Sequence, residues 1–251
     1  MIQDKRYLFL SDSYGRWSVI YKILCISLLI YSLLFGLVKT LPDIGGEIQQ
    51  SARNLFYHVP MWFTMYLMMF LSWLFSVMYL WKRFLWLDTV ASEAATVGVF
   101  FGMLGLSTGI IWSRVTWGAL LSDYDTDAWW VWDPKQTLAL ASILMYGAYL
   151  FLRSSIDDPR KKSLVSGVYN IFAFANLFPL TYIIPKLVGG LHPGTSETAP
   201  VFSAKGIGDA YRIVFYPAII GFMLLACWIL ELRIRAKQIN TYLLEKQVNS
   251  Q

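Results

Sequence analysis

His58 and His192 are the only histidines in 251 residues, and three tryptophans fall within four positions in Trp129-Trp130-Val131-Trp132-Asp133-Pro134-Lys135. Neutral imidazole is a good ligand for iron and other transition metals. Indole offers a large polarisable ring with a single N–H donor. Side chains of these types suit a flat, apolar, metal-bearing ligand. A second reading of the tryptophans is a membrane-interface belt, in which the ring lies in lipid and the N–H stays wet. A belt scatters aromatics around helix ends, whereas this cluster is compact, lies in a loop, and stands beside an acid and a base. The expectation is therefore a compact, flat aromatic platform.

Asp133 has two readings. Asp-Pro followed by Gln136 is a helix start, with Asp as cap, Pro in the first helical position and Gln in the third; the alternative is a direct role in the site. Lys135 is a cation in the first turn, where it opposes the helix dipole. Either it serves an anionic group on the ligand, or it snorkels to water.

The elements that must carry these residues follow from composition. The chain is 57% hydrophobic and only 15% charged, with 11 Trp, 15 Tyr and 16 Phe, and its mean hydropathy is +0.50. This is the composition of an all-α integral membrane protein. Six stretches are apolar enough to cross a bilayer as helices, at roughly 18–38, 58–80, 90–112, 136–152, 164–184 and 214–232. They form a single membrane domain over 1–251, with the tryptophan-rich connection at 113–135. The first span is too long, and lacks the small-residue site, for a cleaved signal peptide. The N-terminus, the 81–89 and 153–163 connections and the tail carry 14 Lys and Arg against 7 in the other loops. The positive-inside rule then places both termini in the cytoplasm and both histidines, with the tryptophan loop, on the outer face. The net charge of +5 reflects that bias, and no nucleic-acid binding is read from it.

Other signals have plainer readings. Cys25 and Cys227 lie inside spans without a C-x-x-C pattern and are read as packing. Met61, Met65, Met68 and Met69 are read as packing in span two, not as axial ligands. Gly98, Gly102, Gly105 and Gly109 form small-x-x-x-small patterns that predict close helix approach. Glu47 to Asn54 suggests a short amphipathic helix, and Pro60 is expected near the first turn of span two. Asp123, Asp125 and Asp127 resemble the start of a calcium loop but lack its Gly and final Glu, so a solvated acidic turn is expected. The tail beyond Glu231 is expected to prolong span six as a cytoplasmic helix.

Two histidines on one face beside a tryptophan cluster point to paired axial ligation of a haem iron. The porphyrin plane wants apolar contact and its propionates want cations, for which the candidates are Lys135, Arg114, Arg53 and Lys186, in that order. Two histidines are too few for a dihaem cytochrome, which needs four ligands.

The Trp-Trp-x-Trp-Asp loop, His58 in His-Val-Pro, His192 in Leu-His-Pro-Gly and six spans in about 250 residues together resemble the CcmC family, the WWD-type haem-handling membrane components of the cytochrome c maturation system. The resemblance covers roughly 16–235. It implies that His58 and His192 are the axial ligands of a transiently bound haem b, with Trp129, Trp130, Trp132 and Asp133 as the signature loop. It also implies delivery of haem to the chaperone CcmE, an ABC-type complex with CcmA, CcmB and the small CcmD subunit, and a place in the bacterial inner membrane facing the periplasm, with a transport role and no catalysis. Family members place Trp-Gly directly before the Trp-Trp pair, whereas here Gly118 and Trp129 are separated by an acidic stretch, which leaves Trp117-Gly118 in doubt as a haem contact. Asp-Pro-Lys stands where other family members have Asp-Ala-Arg and is similar to the larger haem lyases of the other assembly pathway.

Two other classes stay open. A solute permease predicts ionisable residues at mid-membrane, and spans two to six have almost none. A purely structural subunit leaves the histidines and the tryptophan loop without a role.

Overall fold

The computed structural model describes residues 16–39, 48–117, 129–193, 195 and 207–248. Among them there is no strand, and six helices are long and apolar enough to cross a membrane. Chain order gives α1 (Arg16–Val38), α2 (Ile48–Ser51), α3 (Leu55–Lys82), α4 (Leu85–Trp117), α5 (Pro134–Ser154), α6 (Pro159–Phe178), α7 (Ile184–Val188) and α8 (Asp209–Val248). A 3-10 turn, Ala52–Asn54, joins α2 to α3, and a π turn, Pro179–Ile183, joins α6 to α7. The short helix expected before span two is thus α2 with its 3-10 turn. The stretch Asp123 to Asp127 and Gly118 lie outside the described residues.

Several helices outrun the apolar stretches that announced them. Only Arg83 and Phe84 separate α3 from α4, Arg83 taking a left-handed φ of 61° and donating its N–H to the Tyr79 carbonyl. At its other end α4 runs on to Trp117 instead of stopping at 112. No Gly or Pro interrupts Ser113 to Trp117, and the Ser113 and Thr116 hydroxyls return to the carbonyls of Ile110 and Trp112 at 2.9 and 2.7 Å. Arg114 and Trp117 therefore stand on a helix, not in the loop. Pro60 lies inside α3, beyond its first turn. The helix after the sixth span continues unbroken, so α8 counts 40 residues, about 60 Å at 1.5 Å per residue and twice a hydrocarbon core of about 30 Å.

The centre of the bundle is α3, packed on α4, α6 and α8, while α1 lies along α8 and α5 along α4 and α6. The α3–α4 contact is set by the glycine stripe. A Cβ at Gly98 would stand 2.8 Å from Met69, at Gly102 2.7 Å from Met65, at Gly105 3.0 Å from Trp62 and at Gly109 2.8 Å from His58. All four glycines thus admit one face of α3, and that face begins with His58. Met65, Met68 and Met69 are fully buried against it, as the packing reading requires.

Buried charge is gathered at the opposite end of the bundle. Arg153 donates to both oxygens of Asp88 at 2.7 and 2.8 Å, and the Ser163 hydroxyl adds a bond of 2.8 Å. Glu93 accepts from Arg233 at 2.7 Å and Lys237 at 3.0 Å. Glu231 accepts from Lys22 at 3.2 Å and from the Tyr21 hydroxyl. These bonds tie α4 to α5, α6 and α8, and α1 to α8, leaving the histidine end to the site.

Candidate functional site

His58 sits one turn into α3, and its orientation comes from α4. Its Nδ1 lies 2.9 Å from the Gly105 carbonyl and 3.1 Å from the Thr108 hydroxyl oxygen. The Thr108 hydroxyl proton is itself directed at the Leu104 and Gly105 carbonyls, both 2.9 Å away, so both neighbours of Nδ1 accept. That network assigns the proton to Nδ1 and leaves the Nε2 lone pair free. The ring is flanked edge-on by Trp62 at 6.2 Å, one turn further along the same face.

His192 arrives from the other side, on the short arm that follows α7. Its Nδ1 is 2.8 Å from the Pro193 carbonyl, which again places the proton on Nδ1 and frees Nε2. Burial, and after it the Lys135 ammonium, lowers its pKa from 6.5 to about 4 against the opposing pull of that carbonyl. The imidazole is therefore neutral at pH 7 and able to ligate. Its ring neighbours are Trp112 at 6.3 Å and Trp117 at 6.4 Å, both from α4. The two histidine rings lie 6.2 Å apart, centre to centre, at 40°. Two residues 134 positions apart in sequence are thus brought to one point by α3 and the α7 arm.

The tryptophan loop, tied to the His192 arm through Asp133 and Leu191, is not a flat platform. Residues 130–133 carry no regular secondary structure, and Asp133 itself is extended at φ −69° and ψ 136°. Trp130 and Trp132 meet edge to face, 5.9 Å apart at 77°. Trp132 is 80% exposed and Trp129 60% exposed. Arg114 lies over the Trp129 ring at 4.1 Å, a cation–π contact that fixes the guanidinium near the loop. The Asp133 side chain caps α5, accepting from the N–H groups of Lys135 at 2.9 Å and Gln136 at 3.2 Å. Lys135 makes no ion pair among the described residues. Trp130 Nε1, Gln136 Nε2 and Thr137 Oγ1 are buried without a hydrogen-bond partner among the described residues. Buried donors in that state can take an acceptor from water or a ligand.

Contacts join the His58 and His192 rings, tie Asp133 to the peptide before His192, and join Arg114 of α4 to Trp129. Two further cations fall elsewhere. Arg53 gives its guanidinium to the Gly36 and Lys39 carbonyls at 2.9 and 3.0 Å, closing the end of α1, and to Gln50 at 3.0 Å. Lys186 is exposed on α7, 5.8 Å from the Tyr182 ring. Trp62 and Trp112 were not read from the sequence as walls of the site, and Trp117 was left in doubt. For Trp62 a signal was there, since it follows His58 by four positions on a helix.

The architecture defines a polytopic membrane helix bundle with a paired-imidazole, tryptophan-walled site at one end. The family model described as heme exporter protein C matches residues 3–250, and the chain belongs to the heme exporter protein C family. It is 29% identical over 191 residues to "Heme exporter protein C" of Paracoccus denitrificans (strain Pd 1222), covering 74% of this chain and 73% of that one. To the protein of the same name from Rhodobacter capsulatus it is 26% identical over 212 residues, covering 83% and 81%. A shorter match, 44% identical over 69 residues, is to "Cytochrome c biogenesis protein CcsA" of Prochlorococcus marinus (strain MIT 9515), covering 28% of this chain and 19% of that one.

Proposed function

We propose that this protein holds haem b between His58 and His192 and hands it to a haem chaperone for c-type cytochrome biogenesis. Membership of its family gives it a part in haem handling for cytochrome c maturation. The observation that carries the finer reading is the pair of imidazoles 6.2 Å apart, each with Nδ1 turned to a carbonyl. Two imidazoles bound to one metal through Nε2 at about 2 Å each stand about 6 Å apart by ring centres. A six-coordinate porphyrin iron takes two such axial ligands, and the Nδ1 bonds raise their basicity.

The surroundings fit the rest of the ligand. Trp62, Trp112 and Trp117 give apolar walls around the two rings, and Trp129 and Trp132 are exposed. Lys135 and Arg114 are cations for the propionates, and the orphan donors of Trp130, Gln136 and Thr137 suit carboxylate oxygens. The excess of Lys and Arg in the opposite loops, 14 against 7, supports cytoplasmic termini and a site on the periplasmic face of the bacterial inner membrane. In this reading the protein is a carrier, not an enzyme. Exposure of Trp132 at 80% and Trp129 at 60% supports a chaperone approaching from that side, in the manner of CcmE, within a complex that includes CcmA, CcmB and CcmD.

The test is transfer. Detergent-purified protein loaded with haem is mixed with the soluble domain of a CcmE-type chaperone, and the haem on each is followed by absorption after separation. Haem passing to the chaperone supports the reading. Protein that takes up no haem, or keeps it indefinitely, overturns it.

A further inference from the structure

Asp133 makes a second contact that its helix cap does not need. While Oδ1 accepts from Lys135 and Gln136, Oδ2 accepts from the backbone N–H of Leu191 at 2.8 Å, 58 residues further along the chain. The side chain is 3% exposed. Leu191 directly precedes His192, so the bond fixes the peptide from which that imidazole projects. A Cβ at Gly190 would stand 2.5 Å from the same Oδ2, so only glycine lets the arm come this close. Gly189, at φ +80°, turns the chain out of α7 toward it. Beyond the histidine, the Thr195 hydroxyl reaches the His192 carbonyl at 2.6 Å and the Gly190 carbonyl at 3.1 Å. The arm is knitted to itself by Thr195 and tied to α5 through Asp133.

A direct contact between Asp133 and haem is disfavoured on two grounds. Both carboxylate oxygens are engaged by backbone N–H groups, and an ionised carboxylate has no proton to offer a propionate and repels its charge. We propose that Asp133 is a positioning residue that holds His192 in place through the Leu191 amide and does not touch the haem. This rests on His192 being an axial ligand, as proposed above.

The experiment compares haem-loaded, full-length parent, His192→Ala, Asp133→Asn and Gly190→Ala in detergent by absorption, with and without added imidazole. Asparagine keeps the shape but cannot accept at both the cap and Leu191. Gly190→Ala attacks the same contact while leaving the α5 cap intact, so a folding defect at α5 is separated from loss of the tie. The expected result is that both variants change the parent's six-coordinate spectrum into the five-coordinate one of His192→Ala. Free imidazole then restores the sixth ligand, and haem affinity falls about 10–100-fold, the usual cost of losing an outer-shell support. Asp133→Asn and Gly190→Ala proteins that stay six-coordinate overturn the inference alone, as does a loss of affinity that imidazole does not repair. A parent that is not six-coordinate overturns the function proposed above and this inference with it.

Discussion

A cation in the first turn of a helix faces the partial positive charge of the helix N-terminus, so Lys135 stands where its own helix disfavours it. It also lies near the His192 imidazole, which it helps keep neutral. An anionic ligand resolves the conflict. Lys135→Ala is expected to weaken haem retention about tenfold, the worth of one charge-assisted hydrogen bond of about 1.5 kcal/mol; unchanged retention in a haem-loss assay takes Lys135 out of the site. The same charge and burial set a pH dependence. The pKa of His192 is lowered to about 4, so its proton is taken up only as pH falls through that value, not through 6.5. Haem capture by the ligand-free protein is expected to hold steady from pH 8 to pH 5 and to fail as pH nears 4. A midpoint near 6.5 contradicts the neutral-imidazole account. Asp133 shows how far such readings go. Its cap on α5 was legible in Asp-Pro-Lys-Gln, because capping is local. Its bond to Leu191 was not, because no local pattern announces a contact across 58 residues.

At the scale of the element, α4 is the ruler of the site. Its glycines receive His58 and Trp62, its Gly105 carbonyl orients the His58 ring, and its last turns supply Trp112 and Trp117 to His192. Gly109→Ala puts a methyl 2.8 Å from His58 Cε1, and relief requires the imidazole or the helix to move, at about 1–3 kcal/mol. Haem loading is expected to drop in Gly109→Ala. Gly147, which has nothing within 4 Å of an added Cβ, is the control: Gly147→Ala should bind haem normally and melt no lower, since alanine favours a helix over glycine by about 1 kcal/mol. Equal haem loading in the two variants contradicts the role given to α4. The glycine stripe was visible in the sequence as close approach, but which helix fills it was not, since small-x-x-x-small fixes a distance and not a partner. The aromatic walls were missed for a related reason. Hydropathy locates the apolar middle of a span and not its last turns, so Trp117 was read as loop although α4 carries it.

The whole molecule divides its tasks between two ends. One end holds the two histidines and the tryptophans around them. The other holds the buried ion pairs around Asp88, Glu93 and Glu231. The six spans were legible from composition alone, and the gathering of both histidines at one end followed from counting spans. The division also predicts a separation of effects. Arg153→Met strands the Asp88 carboxylate, 11% exposed, and leaving one member of a buried pair alone costs about 3–5 kcal/mol. The variant is expected to melt well below the parent in detergent, while its folded fraction keeps the parent's haem spectrum. An altered spectrum with an unchanged melting temperature contradicts the separation.

The central claim is that His58 and His192 together hold the iron, and visible absorption of the purified, haem-exposed protein tests it most directly. The parent is expected to show a six-coordinate, two-imidazole spectrum, and His58→Ala and His192→Ala are each expected to lose it. Haem bound with the same spectrum in the absence of either histidine, or no haem bound by the parent at all, contradicts the account.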